Sequence, residues 1–264
     1  MEGNRQMNDI LKKIKYENIK IKFIQIFLGI SFLLIWELLS RFNIINSFIF
    51  SSPTKVIITI IDLYKNNNLF NNIFVTIYEL FISFSLGSIL GFIIALIFYR
   101  IPIIKKIFDP YLTLLNSLPK VALGPLLIIW IGANNKSIIV MSLLINLIVS
   151  IIGFYNGFIN TDKYKENILK SFGATNKQLL FNLVIPSSLE TIFSTLKLNI
   201  SMSLIGVIMG EFLSSKAGIG YLILYGTQVF NLNLVMAGIL LLLILSYILY
   251  LIINYLEKKL LHTE

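Results

Sequence analysis

The sequence predicts an all-α polytopic membrane protein with six transmembrane helices, and three observations carry that reading. First, the 264 residues are 56% hydrophobic and only 13% charged, with a mean hydropathy of +0.83. Soluble domains carry about 25% charged residues, so this chain lacks the polar surface to face water on all sides. Second, its apolar residues fall in long runs separated by short polar segments. Third, the basic residues gather in alternate segments, the asymmetry expected when positive charge stays on the cytoplasmic side. A net charge of +9 could suit nucleic acid, but the lysines lie between apolar runs and not on a soluble patch, so no nucleic-acid partner is expected. With no cysteine, disulfides and thiolate metal sites are excluded.

Residues 1–22 are polar and basic, and Phe23 to Leu39 forms the first apolar run. That run is too long for a signal peptide and lacks a small-residue cleavage site, so it reads as a retained span with a cytoplasmic N-terminus. Glu37 would sit at headgroup level. Ser52-Pro53 then starts a helix whose Val56, Ile57, Ile60, Ile61 and Tyr64 share one face. It is too short and polar to span, which suits an interfacial helix on the outer side. The asparagine-rich KNNNLFNN reads as loop. Residues 1–71 therefore form an N-terminal unit, and 72–260 the transmembrane domain.

The second span runs from Ile73 to Tyr99, with Gly87 and Gly91 spaced for close helix packing. The third, YLTLLNSLPKVALGPLLIIWIG, contains Asn116, Pro119, Lys120, Gly124 and Pro125. Helix breakers at bilayer depth are tolerated only against protein or a wet cavity, so this span should line a pathway. Ile138 to Phe158 is the fourth span, with Asn146 near its middle. The fifth should restart at the S-x-x-E box of Ser187-Ser188-Leu189-Glu190 and reach about Phe212. A glycine-rich loop, Lys216 to Gly220, leads to the sixth span, Leu234 to Tyr255, and the tail holds Lys258, Lys259 and the lone histidine, His262, which is expected to have no ligand role.

The stretch 161–188, TDKYKENILKSFGATNKQLLFNLVIPSS, carries its own punctuation. Asp162 caps a short helix with Tyr164, Ile168, Leu169 and Phe172 on one face. Gly173 sits where a helix ends in a left-handed residue. Thr175 and Gln178 form a T-x-x-Q capping box for a second helix, which must bend or stop near Pro186. Arg100, Lys105, Lys106, Lys163, Lys165, Lys170, Lys177, Lys258 and Lys259 share the side of this loop, against Arg41, Lys55, Lys65, Lys136 and Lys216 on the other. Both termini and the loop are therefore expected in the cytoplasm.

Gly173, nine residues, then Leu183-Val184-Ile185-Pro186 resembles the G-x9-I-x-L-P spacing of the cytoplasmic loop in ABC importer permeases. Together with SSPTKV, TIYELFISFSLGSILGF, FDPYLTLLNSLPKVALGPLLIIWIG and MGEFLSSKAGIGYLI, it is most similar to the nitrate/sulfonate/taurine group, which includes importers of thiamine pyrimidine precursors. The resemblance implies a type I importer permease fold whose loop is a coupling helix pair docking on an ATPase. The usual E-A-A triplet would fall on Asn167-Ile168-Leu169, with Glu166 one residue early. Glu166, Asn167, Ser171, Gly173, Ala174, Thr175 and Pro186 are the coupling candidates it implies. The implied partners are two ABC ATPase subunits that hold ATP and magnesium, an extracytoplasmic solute-binding protein and a second permease copy, in a bacterial cytoplasmic membrane. This chain itself should bind no cofactor.

Polar residues at membrane depth are the pathway candidates: Asn116, Pro119, Asn146, Lys197, Asn199 and Glu211. Each also admits a structural reading, since asparagine glues helices together and Lys197 can snorkel or pair with a polar group. No G-x-x-x-x-G-K-[ST], H-E-x-x-H or G-x-S-x-G motif is present, so the chain should not be an enzyme. The activity that the resemblance implies is alternating access for a small anionic or heterocyclic solute. A secondary transporter or channel working without an ATPase is the alternative.

Overall fold

A computed structural model describes residues 2–66 and 68–261, and these are helical with short connections. His262 lies outside the described residues. The first helix, α1 (Glu2–Arg41), has an apolar stretch from Ile19 to Arg41 long enough to cross a membrane. Nearly all of its large side chains are exposed, as lipid-facing residues would be. Hydrogen bonds hold it to the bundle near its end. Trp36 Nε1 donates to the Phe50 carbonyl (3.2 Å), Ser40 Oγ to that of Ser51 (3.0 Å), and Glu37 accepts from Thr54 N (3.1 Å). Glu37 also pairs with Arg41 at 2.7 Å.

A short α2 (Ser47–Phe50) leads to α3 (Pro53–Lys65), which begins as expected with Ser52 as cap and Pro53 in the first turn. α4 (Asn68–Arg100) starts earlier than predicted, at Asn68 inside the asparagine-rich stretch. Two apolar residues inside that stretch explain the extension. Leu69 is buried against Ile219, Ile223, Leu241 and Leu245, and Phe70 meets the Tyr64 ring edge-on at 5.7 Å.

The third span is broken, as its prolines predict. α5 (Pro102–Ser117), a 3-10 turn (Lys120–Leu123) and α6 (Gly124–Ile131) form a pair bent by 84°. Among the described residues, five helices are each long and apolar enough to cross a membrane, and six if this bent pair is counted as one span. α7 (Asn135–Ile159) follows, capped by Asn134.

Beyond the loop helices α8 (Lys163–Ser171) and α9 (Asn176–Leu179), the chain passes through a π-helical turn (Leu180–Val184) and α10 (Ile185–Ser187) into α11 (Leu189–Ser214). α11 does start at the Ser187–Glu190 box, with Ser188 at its N-cap position, but the capping bond the box predicts is absent. The wide turn absorbs Pro186, which has no N–H to donate. Instead of capping forward, the serine hydroxyls bond backward. Ser187 Oγ donates to the Leu183 carbonyl (2.6 Å) and Ser188 Oγ to that of Val184. After Gly218 (φ +118), α12 (Ile219–Gln228) and α13 (Leu232–Leu261) complete the fold.

The core is the α4–α7–α11 trio, drawn together by small residues. A Cβ on Gly91 would lie 2.2 Å from Ser150 Cβ, and one on Gly206 would lie 2.4 Å from Ser142 Cα. Only glycine permits backbones this close. Nearer the loop, Phe92 packs edge-on against Phe154 and Phe158, each at 5.5 Å.

Candidate functional site

The segment 161–188 folds as the hairpin that its capping residues encode. Asp162 accepts from Tyr164 N (2.8 Å) to start α8. At the other end, Gly173 N bonds the Lys170 carbonyl (2.9 Å) and Ala174 N that of Leu169 (3.0 Å), a Schellman termination. Gly173 has φ +81, a conformation that costs a side-chain-bearing residue steric strain although space around it is open. The Thr175–Gln178 capping box then forms with both reciprocal bonds. Removing it by Thr175→Ala is expected to cost about 1 kcal/mol. Amide exchange across 176–179 should then quicken about fivefold by mass spectrometry. An unchanged rate would mean that the box contributes nothing.

The hairpin is anchored on its inner side alone. Leu179 and Leu180 are buried, Thr161 Oγ1 lies 3.3 Å from Ser187 Oγ, and Ser188 Oγ donates to the Gly157 carbonyl (3.1 Å). The outer side of α8 shows the opposite. Tyr164 is 74% exposed and Phe172 84%, while Ile168 also faces outward. Glu166 pairs with Lys170 at 2.6 Å, and Ser171 Oγ bonds the Asn167 carbonyl at 3.0 Å. A recess of about 300 Å³ opens between Glu166, Asn176, Leu179, Tyr99 and Arg100. Pro186 is exposed beside the π turn. An aromatic, apolar edge thus lies exposed beside a charged recess.

The pathway candidates fall into two groups. Asn116 and Pro119 are exposed at the α5–α6 break, where Lys120 Nζ donates to the Asn116 carbonyl (3.3 Å). Asn146, Asn199 and Glu211 are fully buried within the chain. Asn146 Nδ2 donates to the Ser83 carbonyl (2.9 Å) and Ser203 Oγ (2.5 Å). Asn199 Nδ2 donates to Ser150 Oγ (2.5 Å) and Ser88 Oγ (3.2 Å). Both join α4, α7 and α11 where Gly87 and Gly91 leave room. Glu211 accepts from Thr76 Oγ1 (2.6 Å) and Gly220 N (2.5 Å), fastening the turn after α11 to α4.

Lys197 is half-buried and engaged. Its Nζ lies 2.5 Å from Glu257 Oε2 and 3.4 Å from Asn254 Oδ1, and 5.6 Å from the Tyr250 ring centre. Losing one partner strands a charge at membrane depth. Lys197→Met and Glu257→Gln should therefore each lower the melting temperature in detergent, and the double variant should recover most of the loss. The expected coupling is about 1 kcal/mol or more. Additive losses would show that the two charges do not stabilise each other.

Sequence reasoning passed over Glu257 and Glu79, and also the serines that receive the asparagines. Their signal is present: Ser142, Asn146 and Ser150 recur every four residues on α7, and Asn199 and Ser203 do so on α11. That spacing aligns a polar stripe on one helix face.

Among known proteins, residues 87–262 match the family described as binding-protein-dependent transport system inner membrane component. A Haemophilus influenzae protein named as an ABC transporter permease is 30% identical, covering 86% of this chain and 92% of that protein. A Bacillus subtilis permease named for aliphatic sulfonate transport (SsuC) is 25% identical, covering 86% and 82%. The Halalkalibacterium halodurans formylaminopyrimidine transport permease ThiX is 26% identical, covering 72% and 75%. In fold, the chain is similar to one from an inward-facing structure of the MetNI methionine ABC transporter, with a TM-score of 0.64 at 16% identity, covering 71% of this chain and 93% of that one.

Proposed function

Because this chain belongs to the family of inner membrane components of binding-protein-dependent transport systems, and is a multi-pass permease subunit of an ABC importer, we propose that it carries a small anionic or heterocyclic solute. The substrate class is that of the sulfonate, taurine, nitrate and pyrimidine-precursor permeases. Similarity to SsuC and ThiX supports it, as do polar rather than acidic groups at the α5–α6 break.

The observation that carries the mechanism is the uncovered apolar edge of α8. Tyr164, Ile168 and Phe172 dock in a groove of the ATPase, with Glu166 and Asn167 offering the polar contacts at its rim and Ser171, Ala174 and Thr175 flanking it. Gly173 supplies the sharp turn that presents this edge, and Pro186 marks where the loop joins α11. ATP and magnesium bind on the partner ATPases, two of which serve a pair of permease copies. Excess lysine at this end puts the hairpin and both termini in the cytoplasm. The opposite end receives solute from a binding protein. ATP binding favours one orientation of the spans by binding it more tightly, and hydrolysis resets it. Asn116 and Pro119 at the broken span line the path, and Asn146, Lys197, Asn199 and Glu211 hold the helices that enclose it.

Co-purification in mild detergent with the cognate ATPase tests this, wild type beside Gly173→Pro. The ATPase should accompany the wild type and be lost from the variant. Proteoliposomes with the ATPase and binding protein should then take up labelled sulfonate or aminopyrimidine only with ATP. Uptake by the chain alone would overturn the reading in favour of a secondary transporter.

A further inference from the structure

The outer end of α4 holds a buried acidic pair that solute transport does not account for. Thr76 and Glu79 lie about one turn apart, on the same face of α4. Thr76 Oγ1 donates to Glu211 Oε1 and accepts from Ile219 N at 2.8 Å. Asn72 Oδ1, a turn earlier, accepts from Gly218 N at 2.7 Å. Both Glu211 oxygens thus receive neutral donors. Glu79 is fully buried, its carboxyl faces that of Glu211, and neither of its oxygens meets a donor. The ion pairs of Arg41, Lys105, Lys170 and Lys197 are with Glu37, Asp109, Glu166 and Glu257, so none of these four cations pairs with either carboxyl.

Two bare carboxylates side by side at this depth are untenable, because each lacks hydration and each repels the other. Something positive must lie between them. A hydrated ion needs a cavity, yet packing around Glu211 is tight: a Cβ on Gly218 would lie 2.4 Å from its carboxyl, and one on Gly220 2.7 Å from Oε2. A hydrogen needs no cavity. It would give Glu79 an O–H donor aimed at Glu211 and cancel one of the two charges.

We propose that Glu79 and Glu211 hold a single proton between them, forming a carboxyl–carboxylate hydrogen bond that fastens the turn between α11 and α12 to α4. The bond completes a seam that already contains Asn72 and Thr76. It joins α4 to the consecutive helices α11 and α12, far from it in the chain, at the end opposite the hairpin.

Infrared difference spectra of the purified full-length chain, in water and in D2O, test the assignment. Wild type should show the carbonyl stretch of a protonated carboxylic acid, shifted in D2O. Glu79→Gln should lose that band completely yet keep the wild-type melting temperature, because its amide N–H donates the same bond. Glu79→Leu, which removes the second carboxyl outright, should also lose the band and still fold. A band that survives in both variants would place the proton elsewhere and overturn the proposal. Absence of the band in wild type would overturn it too. In that case, a melting temperature higher in sodium chloride than in choline chloride would identify a bound metal cation, and equal values would identify neither.

Discussion

Phe172→Asp is expected to strip the ATPase subunits from the detergent-purified complex while leaving the permease folded. Phe172 is 84% exposed and caps α8 without touching the core, so the chain loses no packing when the ring is removed. An interface, by contrast, depends on such anchors. Aromatic residues at interface centres cost at least about 2 kcal/mol when truncated, or roughly 30-fold in affinity. Aspartate adds the cost of burying a charge in the partner's groove, so the loss should exceed that figure. Lys163→Ala, on the same helix but outside the apolar edge, should retain the ATPase. Retention of the ATPase by Phe172→Asp, together with weaker flotation on liposomes, would show that the hairpin rests on lipid headgroups instead.

Gly87→Leu should have the largest effect on folding. A Cβ at this position would lie 1.6 Å from Asn146 Oδ1 and 2.5 Å from Cγ, before any further carbon is added. Asn146 cannot swing away cheaply, because its Nδ2 is held by the Ser83 carbonyl and Ser203 Oγ. α4 and α7 must separate, and with them the seat of α11. Overpacking a core costs about 1–3 kcal/mol, and more when backbones must move. The expected outcome is loss of the monodisperse peak in size-exclusion chromatography. Gly29→Leu is the control: nothing lies within 4 Å of a Cβ there, on the exposed face of α1, so the peak should be unchanged. Equal behaviour of the two variants would mean that the α4–α7 contact is not a determinant of stability.

How much of this was legible depends on the range of the interaction concerned. The hairpin was readable in detail because its signals are local. Asp162, Gly173 and the Thr175–Gln178 box each act within a few residues, and each forms the bond that its type predicts. The broken third span was readable for the same reason, since Pro119 breaks its own helix. The Ser187–Glu190 box marked where α11 starts but not the bond made there, because a serine hydroxyl can satisfy either a forward amide or a backward carbonyl. Only the π turn, which leaves carbonyls of residues 183 and 184 within reach, decides between them.

Long-range partners were hidden for a different reason. In a soluble helix, the apolar stripe tells which face is buried, whereas spans are apolar on every side and that contrast disappears. Lys197 could be recognised as costly, but nothing near it in sequence points to Glu257, sixty residues away. Glu79 likewise gained its meaning only when Thr76 and Glu211 were found together. The asparagines were the intermediate case. Their depth could be counted from the span ends, but whether they faced a path or a neighbouring helix required the serines opposite them.

The helical passage from α9 through the π turn and α10 into α11 is interrupted at one residue, Ser188, and that joint has a mechanical consequence. Its two sides are not free to swing, because Ser188 N bonds the Val184 carbonyl (3.1 Å), Ile192 N bonds the Ser188 carbonyl (2.9 Å), and Ser188 Oγ holds the Gly157 carbonyl of α7. Beyond the joint, α11 is a rod roughly 40 Å long, at about 1.5 Å per residue. Its near end carries the hairpin and its far end reaches the turn after Ser214. The π turn lies on the hairpin side of the joint, where a helix can change its winding by one residue without breaking. A small tilt imposed on the hairpin therefore becomes a larger sweep at the far tip, and the stiffness of that joint sets how faithfully the motion is transmitted.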